Sequence, residues 1–128
     1  MMSKEDSRRT RGRAGEEIAR GYLSDHDYSI LASNFRTRYG EIDIIVQRGG
    51  IVAFVEVKAR RDKQFGEPFE AVSPRKQGRI RRMAEMWLAA NEGEAALADC
   101  DFRFDVVSIM LDENDRAAQL LHIEDAFR

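Results

Sequence analysis

Two runs rich in isoleucine, valine and phenylalanine, Glu41 to Gln47 and Ile51 to Ala59, are separated only by Arg48-Gly49-Gly50. Such a short spacer leaves room for a tight turn, and glycines supply the positive φ angles that the turn demands. An antiparallel hairpin is the expected result, and a hairpin fixes a register. With Arg48 facing Ile51, Asp43 faces Glu56 and Glu41 faces Lys58. Side chains alternate along a strand, so these four charged residues are expected on one face, with Ile42, Ile44, Val55 and Val57 on the other.

Directly opposed side chains have Cβ atoms about 4.5–5.5 Å apart, and like charges placed there destabilise a sheet. The Asp43–Glu56 repulsion therefore calls for compensation. A divalent cation with oxygen ligands would provide it, and two carboxylates with a backbone carbonyl and waters suit Mg²⁺. Protonation of one carboxyl is the other route. Lys58, two residues past Glu56, would set an amine beside the metal, where phosphodiester hydrolysis needs a cation near the developing charge. The plain alternative is a surface charge ladder held by Glu41 and Lys58, although the Val, Ile and Phe around these charges favour a functional site.

The rest of the chain supplies a frame for this hairpin. Ala14, Ile18, Ala19, Tyr22 and Leu23 follow helical spacing, which predicts an amphipathic helix over about 12–25, after a polar segment 1–10 expected to be flexible. Residues 28–36 read as a first strand. Ser73-Pro74 opens a second helix, with serine as N-cap, proline at its first position, and Ile80, Met83, Ala84, Trp87 and Leu88 as its buried stripe. Residues 102–111 and 119–123 read as closing strands. The order is αβββαββ, an α/β fold in which a mixed central sheet is flanked by helices, and 128 residues suffice for a single domain, expected over 11–128.

No apolar run approaches the roughly 18 residues that cross a bilayer, and the polar start is unlike a secretory signal, so a cytoplasmic protein with no membrane partner is expected. Cys100 is the single cysteine, which excludes an intrachain disulfide and a cysteine-built zinc site. The formal net charge of −2 conceals a division: residues 1–90 carry 18 Lys/Arg against 13 Asp/Glu, and 91–128 carry 3 against 10. Local charge governs attraction to a polyanion, so nucleic acid remains an eligible partner. Arg60, Arg61 and Lys63 follow the hairpin in a segment without regular period, where Phe65 and Phe69 would stack on bases or tuck into the core. Arg75, Arg79 and Arg82 recur on the second helix opposite its apolar stripe, and Lys76 lies near the positive end of the helix dipole. Glu16 flanks the first helix's stripe, from which it can lean toward the sheet.

Gly40-Glu41-Ile42-Asp43 and Phe54-Val55-Glu56-Val57-Lys58-Ala59-Arg60 resemble the PD-(D/E)xK nuclease motif in the form found in archaeal Holliday-junction resolvases. With Gly15-Glu16, Glu70-Ala71-Val72, Lys76 and Arg103-Phe104-Asp105-Val106-Val107, they resemble the YraN family, over about residues 11–127. The resemblance implies a restriction-endonuclease-like fold and a Mg²⁺- or Mn²⁺-dependent endonuclease acting on DNA, including branched or structured DNA. It implies Asp43, Glu56 and Glu16 as metal ligands, Lys58 as catalytic lysine and Lys76 as a nucleic-acid contact, while Arg60, Arg61, Arg75 and Arg79 are expected nucleic-acid contacts from their placement in the loop and on the helix face. A homodimer is expected by analogy with the resolvases. Two other classes stay open: a nucleic-acid-binding module that cleaves nothing, and an interaction protein that docks through its acidic C-terminal third.

Overall fold

The computed structural model describes residues 4–61 and 72–127, with side chains from residue 12 onward. Five strands form one mixed sheet in chain order: β1 (Ser29–Thr37), β2 (Gly40–Arg48), β3 (Ile51–Arg60), β4 (Asp101–Leu111) and β5 (Ala117–Phe127). Among the described residues two helices accompany them, α1 (Lys4–Asp25) and α2 (Pro74–Ala90), with a 3₁₀ turn at Ala95–Leu97. The β3–β4 pair is parallel and the other three are antiparallel, because α2 carries the chain back across the sheet before β4 begins. Among the described residues no helix is long and apolar enough to cross a membrane.

Each sheet face is sealed by one helix. On one side Ala19 and Leu23 of α1 pack on Ile44, Val46, Ala53, Val55, Val107 and Ile109. On the other, Ile80, Met83, Ala84 and Trp87 of α2 pack on Ile45, Val52, Phe54 and Val106. The strands β2 to β4 are covered on both faces, hence their near-continuous runs of Val, Ile and Phe. Ser73 caps α2 by accepting the Lys76 N–H at 3.2 Å, with Pro74 following, as the sequence predicts.

Element ends depart from expectation where apolar patterning gives no signal. α1 starts at Lys4, well before the expected 12, because its apolar spacing reports only the part that packs on the sheet. β5 runs to Phe127, beyond the expected 123, as an edge strand with much of its length in water. The expected contacts of Lys63, Phe65, Phe69, Glu70 and Ala71 lie outside the described residues.

A buried ionic network locks β4 to its surroundings. Asp105 is fully buried and accepts from Arg103 through both oxygens, at 2.8 and 2.9 Å, while the His122 ring meets it at 2.8 Å and the Asp125 N–H at 3.0 Å. Arg103 also donates to the Tyr28 hydroxyl at 2.6 Å, and Tyr22 Oη stands 3.1 Å from His122 Nδ1. Burial alone would raise the Asp105 pKa, but the hydrogen bonds from His122, Arg103 and the Asp125 amide outweigh it and hold the carboxyl below its ordinary value of 3.8. A depressed carboxyl pKa stabilises the fold above the unfolded value, and that contribution disappears as pH falls through the folded one. Asp105→Asn, which leaves Arg103 with only the half-exposed Glu124 at 3.7 Å as counter-charge, is expected to cost about 3 kcal/mol near neutral pH. Urea unfolding from pH 7 downward will then show the gap between wild type and variant closing in the acid range. A constant gap would assign the loss to packing.

Candidate functional site

The hairpin register is as expected from Arg48↔Ile51 to Ile44↔Val55, and there the ladder between β2 and β3 stops. Beyond it the Asp43 carboxylate accepts the Val57 N–H at 2.8 Å, so a side chain replaces the next rung. Alternation slips at the same place. Ile42 packs with Ile45 in the α2-side core, although Ile44 belongs to the α1-side core. The expectation that Ile42 shares a face with Ile44, Val55 and Val57 is therefore overturned. Opposite Asp43 on β1, the 34–43 rung is missing and Asn34 takes a left-handed conformation at φ 54°, an uncommon state that asparagine tolerates better than most residues.

This fork between β2 and β3 gathers the charged residues. Oxygen atoms of Glu16, Glu41 and Asp43 lie within 4.8 Å of one another. Asn34 Nδ2 donates to Glu16 at 3.0 Å and to Glu41 at 2.5 Å, tying α1 to β2 through β1. The expected Glu41–Lys58 pair does not form, because past the fork Glu41 pairs in register with Arg36 and meets its Nε at 3.2 Å. Glu56, with only 7% exposure, accepts from Lys76 Nζ at 2.5 Å and has Lys58 Nζ at 3.6 Å. Lys76 thus reaches from the first turn of α2 into the site.

Burial, followed by the charge of Glu56 and then those of Glu16 and Glu41, pushes the Asp43 carboxyl up to about 8 against the pull of the Val57 amide. Burial and the neighbouring Lys76 push the Lys58 amine down, while Lys76 is raised because the hydrogen bond and charge of Glu56 outweigh its own desolvation. An all-oxygen set of three carboxylates, one of them costly to ionise unaided, suits a hard divalent cation such as Mg²⁺ or Mn²⁺.

Of the sequence-derived site residues, Asp43, Glu16, Glu56, Lys58 and Lys76 converge here. Arg75 and Arg79 lie outside the cluster, exposed on α2. Arg60 ends β3, and Arg61, just beyond it, donates to Asp115 of the β4–β5 turn at 2.6 Å. Asn34 was not expected in the cluster, and Glu41, expected on the face of Asp43 as the partner of Lys58, stands there instead beside Glu16. The available signal was Asn34 itself, a turn-forming residue inside a strand-like run.

Gly15 lets Glu16 come this close. A Cβ at Gly15 would stand 2.5 Å from the Ala59 Cβ of β3, closer than side chains allow.

A mixed α/β domain that collects carboxylates and lysines at a forked strand pair is the class of protein these observations define. The chain belongs to the uncharacterised protein family UPF0102, whose sequence profile matches residues 15–109. It is 42% identical over 121 residues to a UPF0102 protein of Moorella thermoacetica, covering 94% of this chain and 98% of that one. A UPF0102 protein of Pelobacter propionicus is 44% identical over 124 residues, with coverage of 95% and 84%.

Two outcomes follow from this geometry. Gly15→Ala, despite the better helix propensity of alanine, is expected to lower stability by about 1–3 kcal/mol, since the clash is with a central strand. Adding Ala59→Gly should recover most of the loss in chemical denaturation. Asp43→Asn keeps an acceptor for Val57 and removes a penalty that builds up between pH 3.8 and about 8, where the unfolded chain ionises Asp43 and the folded one does not. The variant should melt several degrees higher than wild type at pH 8 and above, with the difference shrinking steadily through neutral and mildly acid pH and vanishing only below the ordinary carboxyl value of 3.8.

Proposed function

We propose that this protein is a divalent-metal-dependent nuclease of the PD-(D/E)xK type, acting on DNA in the cytoplasm. The observation that carries the reading is the convergence of Glu16, Glu41 and Asp43, with oxygens inside 4.8 Å, beside a Glu56 contacted by two lysines. The mixed sheet with a helix on each face is consistent with a restriction-endonuclease-like fold for a single domain over residues 11–128. Asp43, Glu16 and Glu56 would hold Mg²⁺ or Mn²⁺, with Glu41 as a further ligand.

The bound cation would supply a nucleophile from water and neutralise phosphoryl oxygens. Lys58, whose amine burial pushes down, hydrogen-bonds the attacking water. Lys76 exchanges its Glu56 contact for a non-bridging phosphate oxygen, and the exposed Arg75 and Arg79 hold the backbone alongside, with Arg60 and Arg61 just past Lys58 where β3 ends. Branched DNA as substrate and a homodimeric form are the parts of this proposal that rest on the resolvase resemblance alone.

One observation favours a second reading, a nucleic-acid-binding module without turnover. Lys76 and Lys58 already neutralise Glu56 from within the chain. Cleavage of a labelled four-way junction and a matched linear duplex, with Mg²⁺, Mn²⁺ or chelator, decides between them. Wild type is expected to cut only with metal, and Asp43→Ala, Glu56→Ala and Lys58→Ala to lose about 10²-fold or more in rate. Salt-sensitive binding by a wild type that leaves both substrates intact would select the second reading.

A further inference from the structure

We propose that Arg38 and Arg82, held on the ring of Tyr39, form a phosphate clamp that seats the nucleic-acid backbone beside the site without reading its sequence. The inference rests on nucleic acid being the ligand and does not require cleavage. Arg38 and Tyr39 form the turn between β1 and β2, and Arg82 belongs to α2. The guanidinium carbons of Arg38 and Arg82 lie 4.9 and 4.8 Å from the Tyr39 ring centroid, and Arg38 Nη2 donates to the Tyr39 hydroxyl at 2.7 Å. Gly40, at φ +135°, turns the chain directly over Met83, the neighbour of Arg82, so the turn is seated on α2.

Two guanidiniums on one ring repel each other, and an anion is the natural remedy. Among the described residues no carboxylate supplies it. Neither arginine has a described carboxylate within 4.0 Å, in contrast to Arg36 on Glu41, Arg61 on Asp115 and Arg103 on Asp105. Both are exposed, and cation–π contact keeps their positions without consuming their charge. Arg75 and Arg79 continue the strip along the same flank of α2, at i, i+4 and i+7 with Arg82. At its other end Lys76 enters the candidate site, six residues or about 9 Å along the helix from Arg82.

The occupant follows from the geometry. Tyr39 has arginines over its ring and is not a bare stacking platform, so the strip addresses phosphates and leaves bases unread. Duplex nucleic acid of any sequence is the ligand that matches a rigid row of cations.

Fluorescence anisotropy with a labelled blunt DNA duplex, in chelator and over a range of NaCl concentrations, tests the clamp apart from catalysis. Arg38→Gln and Arg82→Gln are each expected to weaken binding severalfold and to lower the slope of log affinity against log salt by about 1, equally for two unrelated sequences. Tyr39→Leu removes no charge, yet it should weaken binding because the arginines lose their common support. Arg48→Gln, at the opposite end of the sheet, should leave binding unchanged and serves as the control. Unaltered binding by both Arg38→Gln and Arg82→Gln, an equal loss in Arg48→Gln, or no salt-sensitive binding by wild type would overturn the clamp. A wild type that binds through these arginines yet never cleaves would refute the nuclease reading alone. One that cleaves while both arginine variants bind normally would refute the clamp alone.

Discussion

A single hydrogen bond, from the Val57 amide to the Asp43 carboxylate, decides where the sheet stops being regular. A buried amide must find an acceptor, and on the β2 side of β3 a side chain provides one in place of a strand carbonyl. β2 is thereby free to slip its alternation and lean toward β1, while β3 stays paired with β4 out to Arg60↔Met110. The fork that results is walled by α1 on one side and α2 on the other. Glu16 can reach it from α1 and Lys76 from α2 because both helices are already pinned by the two hydrophobic cores. Packing thus fixes the helices, and one polar contact determines what they face.

The two ionic centres of the molecule show opposite electrostatic design. Around Asp105 every oxygen is met by a donor, the carboxyl is driven below its ordinary range, and the charge is at home in the interior. Around Asp43 carboxylates crowd one another and the carboxyl is driven up to about 8. The first arrangement holds β4 and β5 to α1 and asks nothing of a ligand. The second is an unfinished balance of charge, which is where the proposed metal chemistry finds its place. His122 serves the first centre alone, its ring held between Asp105 and Tyr22.

Much of this was legible in the sequence because the hairpin is local. Its glycines, strand lengths and register follow from neighbouring residues, and five rungs form as expected. The second helix was equally legible from Ser73, Pro74 and its apolar stripe. The slip at Asp43 was not, because alternation arguments assume an unbroken strand and the break depends on β1, where Asn34 leaves the ordinary strand conformation. Glu41 was misassigned for that reason: its partner was sought across the hairpin on β3 and found on β1. Glu16 fared better, since a helical wheel needs no knowledge of distant strands. The Arg38–Tyr39–Arg82 group joins a turn to a helix more than forty positions away along the chain, a meeting that no local pattern announces.

The parallel pairing of β3 with β4 also governs when the site can exist. Glu16, Asp43, Glu56, Lys58 and Lys76 all precede β4 in the chain, yet the strand that bears two of them has β4 along its whole length as neighbour. During synthesis on the ribosome every one of these side chains emerges before the strand that rigidifies their frame. Pairing that must wait for a distant segment is slow to nucleate. The acidic cluster is therefore among the last features to assemble, and any activity it confers is withheld from an incomplete nascent chain.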